Sequence, residues 1–427
     1  MEWFAVSQSE AAMMRDGWRP GKARMPHWCR STRAGQRFGL AGPLVSGHKK
    51  GKVGESMAAD RRGMASVAGA ALLAGAMAAG PVKAGEQSKQ LHLANRPDFI
   101  AEDTIQKFEA ETGIKVTYDL YPTDETVLTA LEGGNKPGWD LVVTSAMPNL
   151  ARALADHLLR PLDPAKLSNY GNLDPEVETV LAGIDPGNRY AVPYLWGTAG
   201  LGINKDLLQK TVPDAPTDSL ALVFDPVVAA KVASCGVAMA DAPADAVPAA
   251  LAFLGLDPTA QDEKSLAKAA ELLAKLKPIV RRLSYAEFAQ QLGSGKLCVG
   301  FGPSTEVSDA RTRADEAEDG PDITYVVPKE HARRWIDVMV LPVGGSNEEA
   351  AYAFIDYLLR PEIISDLTDL TGAANPNTLA ADFVDEDDRA DETVFPSAAS
   401  RALTFLDKPL SPEAEKARQR LWQHAKP

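Results

Sequence analysis

The sequence predicts an α/β protein of two lobes that exchange segments of chain. Three observations carry this. Strand and helix patterns alternate as β, α, β, α from residue 91 to 145, apolar and helical runs begin afresh between about Gly200 and Asp319, and strand pattern resumes at ITYVVP before an amphipathic stretch. The alternating order favours a parallel sheet with helices on both faces, since parallel neighbours need crossover connections. The expected division places 85–192 with 315–384 in one lobe and 193–314 with 385–427 in the other.

In chain order, Leu91-His92-Leu93 begins the first strand, and a helix follows in which Ile105 and Phe108 share a face and Gly113 is the stop signal. IKVTYDL alternates as a strand, TVLTALEGG reads as a helix closed by glycines, and WDLVVTSA reads as a buried strand. NLARALADHL continues as helix. The segment RYAVPYLWGTAGLGINKDLL concentrates aromatics, prolines and glycines, which suits a crossover between lobes that lines a cleft. VFDPVVAAKV, PADAVPAALAFLG and SLAKAAELLAKLKPIV supply apolar and helical material for a second unit. After ITYVVP and WIDVMVLPVG, the run EEAAYAFIDYLLRPEIISDLTDLTG reads as one long amphipathic helix. The acidic stretch DFVDEDDRADE is expected on the surface, and EAEKARQRLWQHAK forms the last helix.

An export signal is expected at residues 57–84. Arg61 and Arg62 precede the weakly apolar run GMASVAGAALLAGAMAAG, and Val82-Lys83-Ala84 offers small residues for cleavage before Gly85. The general and the twin-arginine routes both fit. Residues 1–56 lack periodicity and read as translated upstream sequence, with a cytoplasmic extension as the alternative. The apolar run is rich in Gly and Ala and too weakly apolar to anchor a spanning helix, so the exported body is not expected to be membrane-embedded.

Cleavage would remove 13 Lys/Arg and 5 Asp/Glu, leaving 343 residues with 32 basic and 53 acidic side chains, a net charge of −21. That charge argues against nucleic acid as a partner and favours cations. Of three cysteines, Cys235 and Cys298 remain. An even pair in an oxidising compartment predicts a disulfide, and their separation excludes a CxxC redox motif. There is no GxSxG, HExxH, phosphate loop or GxGxxG behind a strand, and His92, His157, His331 and His424 are scattered, so no catalytic apparatus, metal or cofactor is expected.

The runs LHLANRPDFIAEDTIQKFEAETGIKVTYDLYPTDETVLTALEGG, WDLVVTSA, RPLDPAKL, YAVPYLWGTAGLGIN, KVASCGVAMADAP, GKLCVGFG, IDVMVLP and EEAAYAFIDYLLRPE together resemble the bacterial periplasmic polyamine-binding proteins, especially the putrescine type. The resemblance is collinear over roughly residues 90–425. It implies the type II periplasmic binding protein fold, with two α/β lobes joined by a hinge. It also implies a periplasmic monomer that clamps a small cationic amine and passes it to the membrane permease of an ATP-driven (ABC) importer. The Cys235 and Cys298 pair falls where putrescine-type members carry their disulfide.

In that family, carboxylates hold the ammonium ends of a diamine and aromatic rings sandwich its methylene chain. The resemblance assigns ligand contact to Asp98, Asp245, Glu306 (at an aspartate position) and Asp337, with Ser145 and Trp335 on the wall. It departs at Arg96 and Pro303, where tryptophans are expected, at Pro97 for serine, at Phe99 for tyrosine, and at Ala373 for tyrosine. Losing two rings removes cation–π attraction and apolar cover. Arg96 would repel a diamine unless an acid such as Glu306 or Asp98 neutralised it. Alternatively it would hold the carboxylate of a ligand that carries both charges. Plainer roles stand beside these: Asp98 and Ser145 as local helix caps, Asp245 in a surface turn, and Trp335 and Trp196 in the lobe core. A hydrolase or lyase using Asp337 and Glu306 as acid and base is the alternative from another class.

Overall fold

Strand β1 (Gln90–Asn95) buries Leu91 and Leu93 and pairs in parallel with its two neighbours, β2 (Lys115–Leu120) and β3 (Leu141–Ser145). The computed structural model describes residues 89–101 and 103–426; the expected export signal, the upstream extension and Cys29 lie outside them. Helix α1 (Thr104–Thr112) ends where expected. Gly113 adopts φ 71° and donates its amide to the Glu109 carbonyl, a left-handed cap that costs glycine nothing for want of a Cβ. Helix α2 (Asp124–Glu132) starts on Thr123, whose side chain accepts the Thr126 amide, and Asp124 and Glu125 complement the positive end of the helix.

The expected crossover is a single strand, β4 (Ala191–Asn204), with all 14 residues buried. Its first part runs antiparallel to β9 (Ala332–Val340), and its second part pairs with β7 (Val299–Pro303) and β8 (Ile323–Val326). β4 thus belongs to both halves of the sheet. Its glycines serve close packing: a Cβ on Gly197 would strike the Trp335 indole, and one on Gly200 would lie 2.6 Å from the Tyr325 hydroxyl.

Strand β5 (Val237–Ala240) pairs in parallel with β6 (Arg281–Leu283) and β7, forming a second parallel group that periodicity had not separated from its helices. The helices around it are α3 (Pro243–Phe253), α4 (Glu263–Leu276), α5 (Tyr285–Gly293) and α6 (Ser304–Glu316). The single long helix expected after β9 is instead two, α7 (Glu348–Leu358) and α8 (Pro361–Thr371). Pro361 has no amide hydrogen to give and excludes helical geometry at Arg360, so it can only start a new helix. Strand β10 (Thr404–Leu406) lies parallel to β9, and α9 (Pro412–Ala425) ends the described chain.

The sheet order is β2-β1-β3-β9-β4-β7-β5-β6, with β10 beside β9 and β8 beside β4. One core gathers Leu93, Phe108, Tyr194, Phe354 and Ile355, with Phe108 meeting Phe354 edge-on at 4.8 Å; another gathers Leu201, Phe224, Val247, Leu273, Phe301 and Trp422. Ile323 and Tyr325 pack with Phe288 in the second half, while Phe395 and Leu406 pack against the first, so strand pairing and not chain position assigns these segments. Cys235 and Cys298 form the expected disulfide, Cα atoms 5.6 Å apart, and join the turn before β5 to the start of β7. No described helix is long and apolar enough to cross a membrane.

Candidate functional site

Side chains alternate across a strand, so Arg333, Trp335 and Asp337 share one face of β9, with about 13 Å between the outer Cα atoms. Asp337 stands opposite Ser145 on β3 and Leu195 on β4. Arg96 leaves the carboxyl end of β1, on the edge where parallel α/β sheets bind ligands. Its Nη1 donates to Asp337 Oδ2 at 2.7 Å and its Nη2 to Asp337 Oδ1 at 2.9 Å, a bidentate pair, and Nη2 also reaches Asp124 Oδ1 at 3.1 Å. Ser145 Oγ donates to the other Asp124 oxygen at 2.7 Å. The guanidinium also lies 5.2 Å from the centre of the Phe99 ring.

Burial acts to lower the Arg96 guanidinium, and the fields of Asp337 and Asp124 override it, holding the group well above its ordinary value. Burial pushes the Asp337 carboxyl upward against the pull of Arg96. The acids that neutralise Arg96 are therefore Asp337 and Asp124, in place of the expected Glu306 or Asp98. The reason is geometric: β1 and β3 end together beside the first turn of α2, across from Asp337 in the interior of β9.

At the other end of the face a second buried cluster repeats the pattern. Arg333 Nη1 donates to Asp245 Oδ1 at 2.9 Å and its Nε to Asp407 Oδ2 at 3.0 Å; Arg418 approaches Asp407 at 3.6 Å. Asp245 lies in the first turn of α3 and is buried, which raises its carboxyl despite Arg333. Two of the four carboxylates assigned to ligand contact by resemblance, Asp245 and Asp337, thus carry an arginine of this chain.

Trp335 lies between them, over Gly197, with Ser304 at the start of α6 beside the same glycine. Its Nε1 is buried without a hydrogen-bond partner among the described residues. Desolvation pushes up the hydroxyl of Tyr285, the first residue of α5, with Asp245 and Glu306 adding to the rise and Arg333 and Arg96 opposing it. Burial pushes the Glu306 carboxyl up to about 7, with Asp309 adding to the rise and Arg313 opposing it.

A folded value near 7 lies above the roughly 4.3 of an unfolded glutamate. The folded state therefore binds the extra proton between these limits; Glu306 favours folding fully below about 4.3, and that contribution is lost as pH rises through 7. A cation bound beside it should expel the proton near neutral pH. Titrations in buffers of different ionisation enthalpy should show proton release on binding, and Glu306→Gln should abolish it and flatten the stability profile between pH 5 and about 8. Heats that do not vary with the ionisation enthalpy of the buffer would rule out Glu306 as a neighbour of the ligand.

Arg96, Phe99, Ser145 and Asp337 are brought together, as are Asp245 and Arg333. Asp98 is exposed, in a left-handed turn at φ 57°, and does not cap α1, whose N-cap position is Asp103. Ser145 spends its hydroxyl on Asp124. Sequence reasoning missed Asp124, Arg333 and Asp407. Arg333 carries a readable signal, lying two residues before Trp335 and four before Asp337 on one strand face; Asp124 looks like any helix-opening acid, and Asp407 like any loop acid. Among the described residues, no group of three or more His, Cys, Asp or Glu is placed to hold a metal ion.

The chain matches the family model for bacterial extracellular solute-binding proteins over residues 103–395. It is 38% identical over 359 residues to the putrescine-binding periplasmic protein PotF of Escherichia coli (strain K12), covering 83% of this chain and 96% of that protein. It is also 38% identical over 357 residues to the putrescine-binding periplasmic protein SpuD of Pseudomonas aeruginosa (strain UCBPP-PA14), with the same coverage of each. Among solved structures, a putative spermidine/putrescine ABC transporter from Listeria monocytogenes superposes with TM-score 0.66 at 27% identity, covering 79% of this chain and 98% of that one.

Proposed function

The chain belongs to the bacterial extracellular solute-binding proteins, and from that premise we propose that it captures a small cationic amine of the putrescine or spermidine class in the periplasm and hands it, as a monomer, to the permease of an ATP-driven importer. The observation that carries this reading is the face of β9, where Trp335 lies between Arg333 and buried Asp337, with Arg333 holding buried Asp245. Acidic groups gathered there favour a cation, and the net negative charge of the exported body steers it inward. The assignments of Arg96, Phe99, Ser145, Asp245, Glu306, Trp335 and Asp337 to the ligand site are part of this proposal. Strand β4 pairs with strands of both halves of the sheet and is the natural hinge for closure over the ligand.

Binding without chemistry fits the same geometry. Both Asp337 oxygens accept from Arg96, so this carboxylate is not free to act as acid or base in the alternative of a hydrolase or lyase. The test is calorimetric titration with putrescine, cadaverine, spermidine, basic amino acids and acylated amines, followed by recovery of the ligand. One-to-one binding of an amine, recovered unchanged, is the expected result. Binding of a sugar or an anion, with no amine bound, would overturn the reading.

A further inference from the structure

We propose that Arg96 is a tethered occupant of the ammonium position at Asp337, so that the site selects an amine with one charged end and one uncharged end, such as a monoacylated diamine, over the free diamine. This rests on the reading of the site as an amine cleft. The inference comes from charge and geometry at both ends of the β9 face. At one end, a single guanidinium faces Asp337 and Asp124, leaving one unmatched negative charge. At the other, Arg333 and Arg418 balance Asp245 and Asp407. A dication would bring two charges to a surface that has one to offer, apart from the partial charge of Glu306.

Arg96 is also placed as a ligand ammonium would be. It meets both oxygens of a carboxylate only 4% exposed, and it lies against the Phe99 ring. Its Nη atoms are committed to Asp337 and Asp124, which leaves no pair of donors at that end for the carboxylate of a ligand. The single charge of such a ligand answers the one negative charge that Arg96 leaves unmatched, and its uncharged end adds none.

The full chain should be titrated with putrescine, N-acetylputrescine and 4-aminobutanoate, as wild type and as Arg96→Ala. Wild type should bind N-acetylputrescine at least about tenfold more tightly than putrescine. Arg96→Ala should reverse that order, a change of about a hundredfold or more in the ratio, because the free ammonium now fills the vacated place. Should Arg96→Ala not fold, Arg96→Met keeps apolar bulk over Phe99, and the wild-type preference is informative without any variant. Equal or tighter binding of putrescine by wild type, or a ratio that the substitution does not move, would overturn the tethered occupant while leaving an amine site. Tightest binding of 4-aminobutanoate would overturn it in favour of a carboxylate held by Arg96. Failure of all three, in wild type and variant, would overturn the amine cleft itself and the proposal with it.

Discussion

Asp337→Ala should destabilise the folded protein by about 3–5 kcal/mol, because it strips a partly buried guanidinium of both hydrogen bonds of its bidentate partner. Asp124 still holds one Nη of Arg96 at 3.1 Å, which places the expected loss toward the lower end of that range. The same change removes the one unmatched negative charge at that end of the β9 face, and affinity for any cationic amine should fall at least about tenfold. Urea unfolding and calorimetry on the same preparation measure both effects. In a double-mutant cycle, Asp337→Ala and Arg96→Ala together should cost less than the sum of the two, with an interaction energy of roughly 1–3 kcal/mol. Additive losses would show that the pair does not act as one unit, and unchanged amine affinity in Asp337→Ala would remove this carboxylate from the ligand site.

Arg333→Met should be comparably damaging, at about 3–5 kcal/mol near neutral pH, for the opposite reason: it leaves two buried carboxylates, Asp245 and Asp407, without the cation between them. Burial already raises Asp245, with Asp407 adding to the rise and Arg333 lowering it. Without Arg333 the folded-state value must rise further, while the unfolded value stays at about 3.9. A raised folded value means that the contribution of Asp245 to stability is full below the unfolded value and is lost as pH rises through the folded one. The variant should therefore be weakest at pH 7 to about 8 and recover much of the deficit toward pH 5. Unfolding midpoints measured across that interval test the sign, and a deficit that grows on acidification would contradict it. Methionine retains most of the side-chain volume, so lost packing is a minor part of the change.

Much of the first half was legible in the sequence because local rules and tertiary packing agree there. Gly113 stops α1, alternation in IKVTYDL becomes β2, and WDLVVTSA, with its apolar centre Leu141-Val142-Val143, becomes the buried β3. Agreement failed where a local signal was overridden or weak. The periodicity of residues 348–371 runs through Pro361, yet the ring divides the helix. The glycines and the proline of residues 191–204 are poor strand formers, yet the glycines make room for Trp335 and Tyr325 against a continuous strand.

The sequence by itself determined the α/β class, the acidic balance of residues 85–427, the disulfide partners and several of the acids and rings from which an amine site is proposed, Asp337, Asp245 and Trp335 among them. These depend on composition, on periodicity within a few residues, and on a collinear family pattern. Only the tertiary structure decided how the charges pair. Arg96 and Asp337 are 241 residues apart, Asp245 and Arg333 are 88 apart, and Asp407 closes the second cluster from near the chain's end. Whether an acid in a cleft is free for a ligand depends on the distance and burial of its nearest cation. Those quantities are fixed by strand register across β1, β3 and β9, which local sequence patterns do not encode.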